Sequence, residues 1–220
     1  QNIAVSRPII YGNTATPLTA ELRQQFPNAS PDHTHSWTIF VRSPTPDDDI
    51  TYLIKKVVFK LHDTYANSSR TVEGPGPFEI TETGWGEFEI AIRIYFAPET
   101  NEKHVQLYHH LKLHPYATPG NTIDDKDDKG DQENKDENDE LPIESYVYDE
   151  LVFNEPTEAM FETLTSRPGA VLPAKKTPNH VYSVQTESEE LERLSAGLEA
   201  VYQQVQKTKE LIFSLEREKA

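Results

Sequence analysis

Phe88, Ile90, Ile92, Ile94 and Phe96 alternate with Glu87, Glu89, Arg93 and Tyr95. A strict period of two predicts a half-buried antiparallel strand. The same pattern recurs at 35–41, where Trp37, Ile39 and Val41 share a face. It recurs at 52–61, with Val57, Phe59 and Leu61 on one side and Lys56 and Lys60 on the other. It is present again at 105–113, through Leu107, Leu111 and Leu113, and at 146–153. The apolar run 3–11 contains Pro8, which makes it an edge strand or breaks it. Residues 14–32, 43–49 and 62–77 are rich in turn formers and read as loops. Short strands with turns about every 8 to 12 residues predict an all-β, immunoglobulin-like antiparallel sandwich.

The period changes toward the C-terminus. Asn154 is an expected N-cap and Pro156 suits a first helical turn, so that Met160, Phe161 and Leu164 face the sandwich. The sandwich domain is therefore assigned to 1–165 and a proline-bearing linker to 166–186. Leu191, Leu194, Leu198, Val201, Val205, Thr208, Ile212 and Leu215 then follow alternating spacings of three and four, the a/d seam of an α-helical coiled coil over 187–220. A lone helix of this kind leaves its apolar stripe uncovered, so the pattern predicts a helical partner. The pattern does not say whether that partner is a second copy or another protein; packing back on the sandwich is the alternative.

Composition narrows the picture. The chain has 220 residues, a net charge of −16, 16 prolines and no cysteine. Lack of cysteine excludes disulfides and thiolate metal sites and fits a reducing compartment. No apolar run has the roughly 18 residues needed to span a bilayer, and no signal-peptide core is visible. The chain does not begin with Met, which points to a trimmed start. The stretch 124–140 holds ten acids and three lysines and no apolar residue, so an acidic disordered insertion is expected over 121–141. The acidic balance disfavours nucleic acid or membrane as a direct partner and favours a basic one, such as a histone tail.

The candidate chemistry sits at strand ends. Trp85 stands between Gly84 and Gly86, a large ring held in a turn. His33, Thr34 and His35 open one strand; His62, Asp63, Thr64 and Tyr65 close another. Loops from one end of a sandwich converge. Placed together, Tyr65 and Trp85 would form two aromatic walls, with the Thr64 hydroxyl and bare backbone N–H groups at the edges. That set suits a neutral amide. Ordinary packing of both rings is the competing reading. His33 and His35 share a face as H-x-H, while His109 and His110 point apart; without cysteine or an H-E-x-x-H helix, no metal set is assigned. His62, Asp63 and Thr64 are sequence neighbours with alternating side chains and form no relay. No phosphate loop, dinucleotide fingerprint or nucleophile elbow is present. The expectation is a protein that is not an enzyme and carries no cofactor.

Three stretches bear a family resemblance: HTHSWTIFVR at 33–42, KKVVFKLHDTY at 55–65 and ETGWGEF at 82–88. They resemble the YEATS domain, and the likeness extends over about residues 6–164. The resemblance implies an immunoglobulin-like reader of acetylated, and often crotonylated, histone lysine. The acyl chain would pass between aromatics at Tyr65 and Trp85. Thr64 would bond the acyl amide and the Trp85 N–H its carbonyl. His62 would line the slot, Gly84 and Gly86 would shape its wall, and His33 would occupy a position held by Phe in some relatives. His110 lies where some relatives place an acid against the histone. A lysine ammonium would lose its hydration in such a slot, with no carboxylate at the matched positions; acylation removes that charge. The sandwich-then-helix layout resembles fungal YEATS subunits shared by a SWR-type histone-exchange remodeller and a NuA-type histone acetyltransferase complex. It implies a nuclear chromatin regulator whose partners are an acylated histone tail and, through the C-terminal helix, other complex subunits. The alternative is a histone-binding assembly scaffold with a vestigial slot.

Overall fold

The structure is a computed structural model and describes residues 3–46, 48–115, 142–177, 180 and 182–218. The acidic insertion expected at 121–141 lies outside the described residues. In chain order the elements are β1 (Ala4–Pro17), α1 (Ala20–Arg23), β2 (His35–Arg42), β3 (Ile54–Lys60), β4 (Ser69–Glu73), β5 (Phe78–Gly84), β6 (Glu89–Phe96), β7 (Val105–His110), β8 (Ile143–Asn154), α2 (Glu158–Thr165) and α3 (Val184–Glu218). Two four-stranded sheets, ordered β5-β2-β1-β8 and β4-β3-β6-β7, pair antiparallel throughout and form the immunoglobulin-like sandwich. Their inward faces are the alternating residues read from the sequence: Trp37, Ile39 and Val41 of β2, Val57 and Phe59 of β3, and Ile90, Ile92 and Ile94 of β6 are buried in one core. Each such side chain contributes about 1.5–3 kcal/mol through burial.

The sequence pattern understates the first sheet. β1 continues to Pro17 and lies between β2 and β8, where a broken or edge strand and then a loop were expected. Pro8 is tolerated because β2 joins β1 only from Ile10 onward, so Pro8 is flanked by β8 alone. Gly12 permits a close backbone approach: a Cβ there would sit 2.2 Å from the Ser145 carbonyl oxygen. Asn13 is fully buried, and its side chain is satisfied by distant groups, as the site below shows. β4 and β5 also form in stretches not read as strands.

α2 is capped by Thr157, not Asn154. The Thr157 hydroxyl accepts the Met160 N–H at 3.2 Å and donates to the Thr100 carbonyl at 2.8 Å. Met160 and Leu164, four apart, are buried, whereas Phe161 lies a third of a turn away and is exposed. Arg7 of β1 clamps the end of α2, donating to the Leu164 carbonyl and, at 3.1 Å, to the Tyr52 hydroxyl.

The chain divides into two units, Gln1–Ser43 with Asp47–Ala170, and Pro44–Pro46 with Val171–Ala220. The first holds the sandwich and α2. The second holds α3, whose N-terminus is capped by Ser183 accepting the Thr186 N–H at 3.2 Å. α3 has the expected long-helix form, about 50 Å at 1.5 Å per residue. Its apolar residues are exposed along its length, from Leu191 and Leu194 to Ile212 and Leu215.

Candidate functional site

Strand ends from both sheets meet at one end of the sandwich. β2 opens with His35 paired to Gly84 at the close of β5, and β3 closes with Lys60 paired to Ala91 near the start of β6. The 62–66 loop and the 84–88 turn leave from these ends. With His33 they enclose a cavity of about 420 Å³ lined by His33, His62, Thr64, Tyr65, Ala66, Gly84, Trp85, Gly86, Glu87 and Phe88. All seven residues singled out in the sequence therefore reach one cavity: His33, His62, Thr64, Tyr65, Gly84, Trp85 and Gly86.

The two aromatic walls differ in character. Tyr65 is half-buried; its hydroxyl donates to the Thr83 carbonyl at 3.1 Å, and its ring packs against Trp37 and Phe88 at centroid distances of 5.9 and 5.7 Å. Burial pushes the Tyr65 phenol up, partly offset by the Trp37 indole N–H beside it. The hydroxyl therefore stays protonated and keeps donating. Trp85, in contrast, is 65% exposed and makes no ring contact of this kind among the described residues.

The polar edges are set locally. His62 Nδ1 lies 3.0 Å from the Thr64 hydroxyl and 3.3 Å from the Thr64 N–H. An Nδ1 that accepts from Thr64 leaves the hydroxyl lone pairs open to a ligand donor. On the other wall the Gly84 carbonyl accepts the Thr34 N–H at 3.0 Å. Among the described residues no hydrogen bond takes the backbone N–H of Trp85 or Gly86. The arrangement thus offers an acceptor on one side, donors on the other and ring faces between them: the complement of a flat secondary amide. His33 is fixed by Thr83, with Nδ1 and Oγ1 2.7 Å apart.

Three lining residues were not anticipated: Ala66, Glu87 and Phe88. Alternation placed Phe88 with the core residues, and it packs against them, its ring 6.0 Å from that of Trp37; it precedes β6, which begins at Glu89, and also lines the cavity, 5.9 Å from the ring of His62. Contiguity with Gly84-Trp85-Gly86 was the available signal. Glu87 brings a carboxylate to a cavity expected to have none. It is already engaged: Oε1 accepts the Leu113 and His114 N–H groups at 2.8 and 3.1 Å, and Oε2 lies 2.9 Å from Lys112 Nζ. Burial alone would raise its pKa, but these donors outweigh it and hold the carboxyl down at about 2.

The histidines do not assemble into a metal site. His35 packs edge-on against His114, while His109 is buried and bonded to Asn13, apart from the exposed His110. Among the described residues no group of three His, Asp or Glu is placed to hold a metal.

The YEATS family model matches residues 32–115, which include all seven of these positions. The Protein AF-9 homolog of Yarrowia lipolytica is 62% identical over 190 residues, covering 80% of this chain and 91% of that protein. A crystal structure of the Yaf9 YEATS domain bound to H3K27ac is 50% identical, with a TM-score of 0.61, and covers 76% of this chain and 97% of that one. A structure of the Yaf9 YEATS domain recognizing an H3K122suc peptide is 47% identical, with a TM-score of 0.57 and the same coverage.

Proposed function

This chain belongs to the YEATS family, and we propose that it is a non-catalytic reader of acylated histone lysine that binds through the cavity between Tyr65 and Trp85. The observation that carries this reading is the convergence of His33, His62, Thr64, Tyr65, Gly84, Trp85 and Gly86 on one cavity, with Trp85 exposed. The acyl-lysine amide N–H meets the Thr64 hydroxyl and its carbonyl meets the Trp85 N–H. The acyl group runs between the rings, and a planar crotonyl group stacks better than acetyl. An unmodified ammonium finds no open carboxylate, since Glu87 is held by Lys112 and the 113–114 backbone. The complexes of Yaf9 with H3K27ac and H3K122suc support histone H3 as the ligand.

Such a slot binds weakly alone, at roughly −4 to −8 kcal/mol. Tethering into a complex supplies the rest, and α3 is the element for it. Its exposed seam is flanked by Glu190, Gly197, Gln204 and Leu211 on one side and Ser195, Tyr202, Lys209 and Glu216 on the other. Two parallel copies would oppose Glu190 to Ser195, Gln204 to Lys209 and Leu211 to Glu216, with no pair of opposite charges. A different subunit of a histone-exchange remodeller or histone acetyltransferase complex, in the nucleus, fits this surface better than a second copy.

The test is a titration of the full chain with one histone H3 tail peptide in unmodified, acetylated and crotonylated forms. Affinity at least tenfold higher for the acylated forms, about 1.4 kcal/mol, is expected. Equal binding of all three, falling steeply with salt, would overturn the reading in favour of an acidic histone-binding scaffold.

A further inference from the structure

We propose that Glu87 is a positioning residue: its carboxylate pins the Trp85–Gly86 turn to the segment after β7 and so holds one wall of the slot in place for the acyl amide. The proposal rests on the acyl-lysine reading of that slot. Glu87 is two residues from Trp85 and is the only acid lining the cavity among the described residues. It touches no ligand in this role. Its two oxygens are filled by the Leu113 and His114 N–H groups and the Lys112 ammonium.

What it grips is itself anchored. The Asn13 side chain of β1, fully buried, accepts the Lys112 N–H at 3.0 Å and donates to the Lys112 carbonyl at 2.8 Å. Its Oδ1 also accepts from His109 Nε2 at 2.7 Å, which ties in β7. Leu111 and Leu113 on either side are buried in the core. A continuous set of hydrogen bonds therefore runs from the middle of one sheet, through the edge strand of the other, to the turn that carries the exposed indole. Among the described residues Trp85 makes no aromatic ring contact, and Gly86 on its other side has open space around it, with nothing within 4 Å of a built Cβ. Backbone bonds close the turn at its ends, from the Thr34 N–H to the Gly84 carbonyl at 3.0 Å and from the Leu111 N–H to the Phe88 carbonyl at 2.8 Å; between them, Glu87 is the side chain that ties the turn to the 112–114 segment. Preorganisation of this kind raises affinity by removing the ordering cost at binding.

The chain contains two tryptophans, Trp37 at 1% exposure and Trp85 at 65%, so two indole N–H signals report separately on core and turn. The experiment measures ¹⁵N relaxation of both indoles in the full chain, together with acetyl-peptide affinity, for wild type, Glu87→Ala and Glu87→Gln. In Glu87→Ala the Trp85 indole is expected to gain fast motion while Trp37 is unchanged, and affinity to fall roughly tenfold. Glu87→Gln keeps an oxygen for both backbone N–H groups, so Trp85 stays ordered and affinity stays within about threefold of wild type. A Trp85 indole as ordered in Glu87→Ala as in wild type overturns the proposal, whatever the affinity does. Should Glu87→Ala fail to fold, Glu87→Asp retracts the carboxylate by one methylene and must loosen Trp85 in the same way; a rigid Trp85 there overturns it equally. Failure of the acyl-lysine reading is distinguishable, because it shows in wild-type peptide binding and leaves the relaxation measurement intact.

Discussion

The Tyr65 hydroxyl occupies the space that a side chain on Gly84 would need: a Cβ built at Gly84 lies 2.4 Å from Tyr65 Oη and 3.3 Å from Trp37 Nε1. The missing side chain on one wall of the cavity thus sets the position of the ring on the other. Gly84→Ala must push the phenol away and break its bond to the Thr83 carbonyl. We expect a loss of about 1–3 kcal/mol in stability and a clear drop in acyl-peptide affinity. Gly86→Ala, which meets nothing, is the control and should leave melting unchanged. Equal melting temperatures for the two variants would contradict this account.

Trp85→Ala separates binding from folding. The ring is mostly exposed, so its removal should change stability by no more than about 0.5 kcal/mol. Acyl-peptide binding should fall below detection while circular dichroism and melting stay at wild-type values. A variant that still prefers the acylated peptide would show that the indole is not a wall of the slot.

Thr64→Val tests the edge of the slot. Valine keeps the shape and removes the hydroxyl bonded to His62 Nδ1. A hydrogen bond lost from a desolvated amide costs about 1–3 kcal/mol, so affinity for acetylated peptide should drop about 5- to 150-fold. Thr64→Ser should retain it. Calorimetry on the three proteins checks the series; a Val variant equal to wild type would remove Thr64 from the contact.

Acid sensitivity is written into His109. Burial is the main cause that pushes its pKa down to about 4, with His110 beside it adding to the shift. The unfolded chain titrates near the ordinary 6.5. Between these values the unfolded state holds a proton that the folded state refuses, so stability falls as pH drops from 6.5 toward 4. The contribution is up to about 3 kcal/mol. Glu87 adds a second loss of the same sign lower down, between its ordinary 4.5 and about 2. Urea melts from pH 7.5 to 4.5 should show a midpoint that declines with acid, and His109→Gln should flatten it. A midpoint that rises on acidification would contradict the sign.

The division between what was legible and what was not follows from where each residue's partners lie. β2, β3 and β6 were legible because their inward residues are apolar and alternate, which is local information. The C-terminal helix was legible for the same reason, through its heptads. The second half of β1 was not, because Gly12, Asn13 and Thr14 have the composition of a turn. Asn13 becomes a strand residue only because Lys112 and His109, about a hundred positions away, satisfy its amide. β5 was hidden by polar outward residues such as Thr81, whose hydroxyl pairs with that of Thr38 on β2. At the cavity, Thr64, Tyr65, Gly84, Trp85 and Gly86 were legible from their chemistry at strand ends, and the family likeness added roles for His33 and His62. Glu87 and Phe88 were missed because a strand alternation claimed them first.

The exposed seam of α3 leads to the last prediction. Leu198 and Val201 sit mid-helix, 72% and 62% exposed, and nothing in their own unit covers them among the described residues. A glutamate at either place would leave an isolated helix intact, since glutamate is a good helix former. It would instead put a charge in the seam between two helices, which costs several kcal/mol without a partner ion. Val201→Glu in the full chain should therefore leave the sandwich's melting and its acyl-peptide affinity unchanged. On the docking role proposed for α3, it should in cells move the protein from high-mass to low-mass fractions. The same experiment reads the charge argument against self-pairing: purified wild-type chain should sediment as a monomer at micromolar concentration. A stable dimer that Val201→Glu dissociates would instead make the seam a contact between copies.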